Sequence, residues 1–188
     1  MANDATNRGR RLEEDYFHRK EKELIEKLRQ RREADAQQKE LAEGSGIANE
    51  EILKTLQELG YTRDTVLLLH LVPLISVAWA DDKVSGPERE LIIEAARLRG
   101  IAEDTAAYKQ LNNWLSNRPS DEFVEQTLRV ISDLADTELP DERETRRQNL
   151  LGLATRVAEA SGGILGLGKV SGEEQALLDR IATQLEKH

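Results

Sequence analysis

Val66-Leu-Leu-Leu-His70-Leu-Val-Pro73-Leu-Ile-Ser-Val-Ala-Trp79-Ala80-Asp81-Asp82-Lys83-Val84-Ser85-Gly86-Pro87-Glu88-Arg89-Glu90-Leu91-Ile92 is the stretch that decides the fold. Its first half is apolar on almost every side, the signature of a helix surrounded by other elements. Residues 65–80 are too few for the roughly 20 apolar positions a bilayer span requires. The segment therefore reads as a buried central helix. Pro73 removes a backbone donor and should kink it. His70, on so apolar a segment, reads as a hydrogen-bonded core histidine. The second half is a helix start. Ser85 and Glu88 form an S-x-x-E capping box, and Pro87 falls in the first turn, where its missing N–H is not needed. Gly100 then stops the helix.

Working outward, helical periodicity and stop signals divide the remainder into short helices. Ile47–Leu59 places Ile47, Ile52, Leu53, Leu56 and Leu59 on one side, with Gly60 as its stop. Thr62 or Asp64 caps the central helix. Residues 104–116 carry Tyr108, Leu111 and Leu115 at helical spacing, with Trp114 beside them. Pro119-Ser120 opens a helix over 121–135, and Pro140-Asp141 opens one running to about Ala160. The last helix spans about Ser171–Leu185. No alternating β pattern interrupts the series, so the fold class is all-α.

An internal repeat adds to this. Lys83-Val-Ser-Gly-Pro-Glu88 aligns with Lys169-Val-Ser-Gly-Glu-Glu174, 86 residues downstream. Both copies follow an apolar helix and both carry the capping box, which predicts a pseudo-duplicated helical bundle. At this point residues 60–188 resemble the TerB-like family, which is associated with tellurite resistance and stress responses. Its pattern is a helix, then Ala-Asp-Gly-x-x-Ser-x-x-Glu, then a second helix, often with a related copy downstream. Asp81, Ser85 and Glu88 match, while Asp82 stands where the family has Gly. In the second copy Leu167 stands at the Asp position, and Gly168 and Glu174 match. The resemblance implies an all-helical fold with an acidic metal-binding surface. Asp81, Asp82 and Glu88 are the candidate ligands, and oxygen donors of this kind suit Ca²⁺ or another divalent cation such as Mg²⁺. The segment is not an EF-hand, because no D-x-[DN]-x-[DN]-G run is present. The same acidic groups at a helix start are also favoured by the helix dipole alone.

The N-terminal part is different. Residues 12–42 contain neither Gly nor Pro and are dense in Glu, Lys, Arg, Gln, Leu and Ala, all strong helix formers. Opposite charges four apart (Asp15 and Arg19, Glu23 and Lys27, Asp35 and Lys39) should each contribute a few tenths of a kcal/mol. The apolar stripe is narrow: Tyr16, Phe17, Leu24 and Leu28, with Leu12 and Ile25. Such a helix buries little of itself and is predicted to dock on a protein partner or to self-associate. Gly44-Ser45-Gly46 should break it as a flexible joint, giving an arm (1–43), a joint (44–46) and a bundle (47–188). The run Leu12-Glu-Glu-Asp-Tyr-Phe-His-Arg-Lys-Glu-Lys-Glu-Leu24 is similar to the inhibitory helix of the ATP-synthase inhibitor protein family, which shows a like acidic–Tyr-Phe–basic order. That similarity implies an inhibitory helix acting on a larger enzyme.

Composition excludes several classes. The chain has 188 residues, 27 Lys+Arg, 36 Asp+Glu and a net charge of −9. The arm is neutral, with 11 basic and 11 acidic residues in 1–43, so all the excess negative charge lies beyond it. An acidic body repels a phosphate backbone, which argues against nucleic-acid binding. There is no Cys, hence no thiol chemistry and no Cys-based zinc site. The polar N-terminus shows no secretory signal, and with the absent cysteines it points to a cytoplasmic protein. Gly163-Ile-Leu-Gly-Leu-Gly168-Lys169-Val170 nearly spells a nucleotide-binding loop, but Val170 takes the place of the hydroxyl residue and no strand precedes it. It reads as an apolar hinge, with Ile164, Leu165 and Leu167 either folded over the bundle or offered to a partner or a membrane surface. His18, His70 and His188 lie on separate segments, and no nucleophile–base motif occurs. These readings converge on a non-enzymatic, stress-associated adaptor or sensor. The alternative is a regulator that inhibits a larger enzyme through its N-terminal helix.

Overall fold

The computed structural model describes residues 2–137, 139–161 and 170–186. Among them are eight α-helices and one 3₁₀ helix, and no strand. They are α1 (Ala2–Ser45), α2 (Glu50–Glu58), a 3₁₀ helix (Val66–Leu71), α3 (Val72–Ala78), α4 (Gly86–Leu98), α5 (Ala106–Ser116), α6 (Asp121–Ala135), α7 (Pro140–Ser161) and α8 (Gly172–Glu186). The chain divides into two compact units, residues 1–40 and 41–188.

The first unit is one charged helical stretch. From Tyr16 to Glu40 nearly every side chain is exposed. Its ion pairs are local: Lys20 with Glu23 at 3.3 Å and Arg29 with Glu33 at 2.9 Å. Glu23 thus pairs backwards with Lys20 and not forwards with Lys27 as its i,i+4 spacing predicts. Exposed pairs three and four apart differ by only tenths of a kcal/mol, so either partner serves. The expected break also falls later. Gly44 and Ser45 are still helical, and the chain turns at Gly46 with φ +71°.

The second unit has a continuous core. Leu56, Leu68, Leu71, Leu74, Ile75, Ile92, Leu111 and Ile181 are fully buried. The central apolar segment occupies the middle as expected, in two pieces. Val66–Leu71 is 3₁₀ and Val72–Ala78 is α-helical. Pro73 sits in the first turn of α3, where its missing N–H goes unused. It therefore begins a helix and does not kink one. α3 packs against α4, α6, α7 and α8.

Caps set the remaining boundaries. Asn49, Thr105 and Ser120 each accept a backbone N–H at the start of α2, α5 and α6. Gly60 and Gly100 close α2 and α4 in the left-handed region, at φ +82° and +80°, where any Cβ would be strained. Polar side chains then tie the elements together. Arg89 on α4 donates to Asn112 Oδ1 at 3.1 Å and to the Leu115 carbonyl at 2.8 Å on α5. The Trp79 indole donates to the Trp114 carbonyl at 2.8 Å. Tyr61 stacks on Phe123, and Trp114 tilts against Phe123. The buried Tyr61 hydroxyl meets the Thr127 hydroxyl at 3.3 Å.

Candidate functional site

The acidic loop between α3 and α4 is built around the α4 cap. The Ser85 N–H donates to Glu88 Oε2 at 2.7 Å, and the Glu88 N–H donates to Ser85 Oγ at 3.4 Å. The same pattern of bonds occurs at the start of α8. The Ser171 N–H donates to Glu174 Oε2 at 2.6 Å, and the Glu174 N–H donates to Ser171 Oγ at 3.1 Å. Each reciprocal pair satisfies two backbone donors that the helix itself cannot use.

Both glutamates are buried, at 0% and 1% exposure. Buried carboxylates are costly as anions unless fully partnered. Glu88 Oε1 has no hydrogen-bond partner among the described residues. Burial pushes the Glu88 carboxyl above the usual carboxylate range, the two hydrogen bonds to Ser85 pull it back, and the charges of Asp81 and Glu174 push it up again. The charge of Glu174, 86 residues further along the chain, thus acts on Glu88 across the fold.

The three candidate ligands have different surroundings. Asp81 is exposed beside the loop. Asp82 takes φ +64°, the left-handed region, at the position where the TerB-like pattern has Gly. Its Oδ1 accepts from Arg118 at 2.6 Å, and Arg118 also reaches Asp121 at 3.4 Å. Glu88 and Glu174 each commit one oxygen to a cap. Among the described residues no three His, Asp or Glu side chains are grouped closely enough to hold a metal ion. A Ca²⁺ ion takes six to eight oxygens. The donors grouped here among the described residues fall short of that number.

The partner-binding candidates lie on the arm. Tyr16, Phe17, Leu24 and Leu28 are 53%, 68%, 59% and 52% exposed, and Ile25 adjoins them. Tyr16 and Phe17 meet edge to face, with ring centroids 6.0 Å apart. Residues 163–168, the glycine-rich apolar loop, lie outside the described residues. His70 is half-buried and has no hydrogen-bond partner among the described residues, unlike the core histidine expected. Burial, then the charges of Arg146 and Arg99, pull its pKa down to about 4.

Sequence reading missed the roles of Glu174 and Arg118. The repeated capping box pointed at Glu174 but not at the action of its charge on Glu88. Nothing local signals the Arg118 contact with Asp82.

No helix among the described residues is long and apolar enough to cross a membrane. Compared with protein-family models, curated proteins and solved structures, the chain matches none of them.

Proposed function

We propose that the chain is a non-enzymatic, stress-associated adaptor of TerB-like type, in which the arm docks a protein partner. The observation that carries this is the arm's apolar stripe. Five large apolar side chains between Tyr16 and Leu28 stand more than half exposed on one helical stretch. Leaving them in water forgoes roughly 1.5–3 kcal/mol each relative to full burial. A partner helix or groove recovers that energy, read through anchors at helical spacing.

The TerB-like assignment of the body rests on three supports. Both Ser-x-x-Glu boxes are formed. Asp82 holds the left-handed conformation that glycine favours, at the pattern's glycine position. The packing is also reciprocal: α3 touches α8 while α4 touches α7, and α3 touches α7. This is what a pseudo-twofold relation between an α3–α4 copy and an α7–α8 copy would produce. A divalent cation is not part of this reading, because Asp82 is engaged by Arg118 and each glutamate caps its own helix. The stress association follows from the resemblance alone.

The test compares the full chain with a variant carrying Tyr16→Gln, Phe17→Gln, Leu24→Gln and Leu28→Gln, which keeps helix-forming residues. Native extract and sedimentation give the readouts. The adaptor reading expects a defined complex, or a self-associated species, formed by the parent and absent from the variant, with body unfolding unchanged. Identical behaviour of the two chains would dismiss it. Inhibition of a larger enzyme by the parent arm, abolished in the variant, would favour the inhibitory reading instead.

A further inference from the structure

The 3₁₀ helix, the C-cap of α4, and α6, α7 and α8 line a cavity of about 720 Å³ that is open to solvent on one side. Its apolar wall is Ile131, Ala135, Leu150 and Leu185. Its polar wall is basic, in a body that is otherwise acidic. Arg99, Arg143, Arg146 and Arg147 all line it, with His70 beside them. An adjoining cavity of about 430 Å³ shares His70, Arg99 and Arg146.

The arginines are not equivalent. Arg143 pairs with Asp136 at 3.1 Å, and Arg147 pairs with Glu144 and Glu186 at 2.9 and 2.8 Å. Arg99 stands apart. Its guanidinium donates to the Ala95 carbonyl at 3.0 Å and has no carboxylate partner among the described residues. Half-buried positive charge without a counter-charge is costly. Asp141 and Glu142 also line the cavity. They lie in the first turn of α7, where the helix dipole favours them, and neither is ion-paired to Arg99. Arg99 is itself the C-cap of α4, where the helix dipole favours a cation; that offsets part of the cost and leaves its remaining N–H donors without a carboxylate among the described residues. His70 stays neutral at physiological pH, with its pKa near 4, so it can donate or accept a hydrogen bond without adding a charge.

We infer that this cavity binds an amphipathic organic anion, a carboxylate on a hydrocarbon body, with Arg99 receiving the carboxylate and the Leu150–Leu185 wall receiving the chain. A guanidinium is shaped to bind a carboxylate through two parallel hydrogen bonds. Small-molecule sites pair an apolar wall with convergent polar groups, and here a short apolar wall faces a larger, mainly basic polar one. The site is separate from the arm and does not depend on the adaptor reading.

Calorimetric titration of the full chain with decanoate, decanol and inorganic phosphate tests it. Decanoate is expected to bind, with decanol and phosphate each weaker by about tenfold or more. Arg99→Gln is expected to lower decanoate affinity by a similar factor and to leave decanol unchanged. Arg99→Lys, which keeps the charge but loses the fork, should fall between. If Arg99→Gln does not fold, the lysine variant and the decanoate–decanol contrast still decide. Equal binding of decanoate and decanol, tighter binding of phosphate, unchanged affinity in the Arg99 variants, or no decanoate binding at millimolar concentration would each overturn the inference.

Discussion

The arm and the body use the same helix-forming residues to opposite ends. Leu24 and Leu28 in the arm are 59% and 52% exposed, while Leu71 and Leu74 in the body are fully buried. The difference is the width of the apolar stripe. In the body the faces are broad enough to close a core around α3. In the arm the apolar positions are few and interrupted, Tyr16, Phe17, Leu24, Ile25 and Leu28, and charges fill most of the surface between them. A helix of the first kind gains its stability from tertiary packing. One of the second kind relies on propensity and local ion pairs, which sum to little. The first builds a scaffold, and the second offers a contact.

Substitution should show this contrast most strongly. Leu74→Ala removes a fully buried side chain and is expected to cost about 2–5 kcal/mol by chemical denaturation. Leu24→Ala is expected to stay within about 0.5 kcal/mol. Similar losses at both positions would mean that the arm contributes to the core and would break the comparison.

The two capping boxes give a smaller effect within the body. Ser85→Ala and Ser171→Ala should each cost about 1 kcal/mol, since each removes one N-cap acceptor. Equal costs would sharpen the case for two equivalent copies. A loss confined to Ser85 would separate them.

The buried Glu88 carboxylate gives a dependence on pH. The folded-state pKa of Glu88 is raised, so the fold favours the protonated form. Its stabilisation is complete below the ordinary glutamate range and is lost as pH rises through the folded value. Glu88→Gln keeps an oxygen for the cap and has no charge to bury. Its thermal midpoint should therefore change less than the parent's between acid and mildly alkaline pH, and should be the higher of the two at the alkaline end. A parent chain whose stability rises with pH through that window would show that the buried carboxylate is neutralised in some other way.

Asp82→Gly should have the smallest effect. Glycine relieves the left-handed backbone strain by up to about 1 kcal/mol. Losing the exposed Arg118 ion pair costs about 0–1 kcal/mol. A net change within about 1 kcal/mol is expected in urea unfolding. A larger loss would mean that the Asp82–Arg118 contact organises the loop.

Much of this architecture was legible in the sequence. The order of the body helices follows from apolar periodicity, and the ends at Ser85, Gly60, Gly100 and Ser120 follow from capping chemistry. α6 begins and ends where predicted. Three features were not legible. The split of the central segment into 3₁₀ and α pieces depends on packing around Pro73, which propensity does not see. The helical state of Gly44 and Ser45 is a tertiary override of a local break signal, since a Cβ on Gly44 would meet Arg63 at 2.6 Å. The site residues depend on the fold itself. Arg118 reaches Asp82, and Arg99 and His70 come to line one cavity, only once distant segments are packed. Periodicity marks which face is buried, not which charged groups converge at its edge.

Hydrogen exchange over residues 16–30 tests the division between arm and body most directly. The full chain is compared with the four-glutamine variant, each alone at low concentration and each in native extract. Rapid exchange is expected for both chains alone, because the arm's helical hydrogen bonds lie open to water. In extract, exchange in the parent is expected to slow while the variant stays fast. Slow exchange in the parent alone at low concentration, or identical rates for the two chains in extract, would contradict the account.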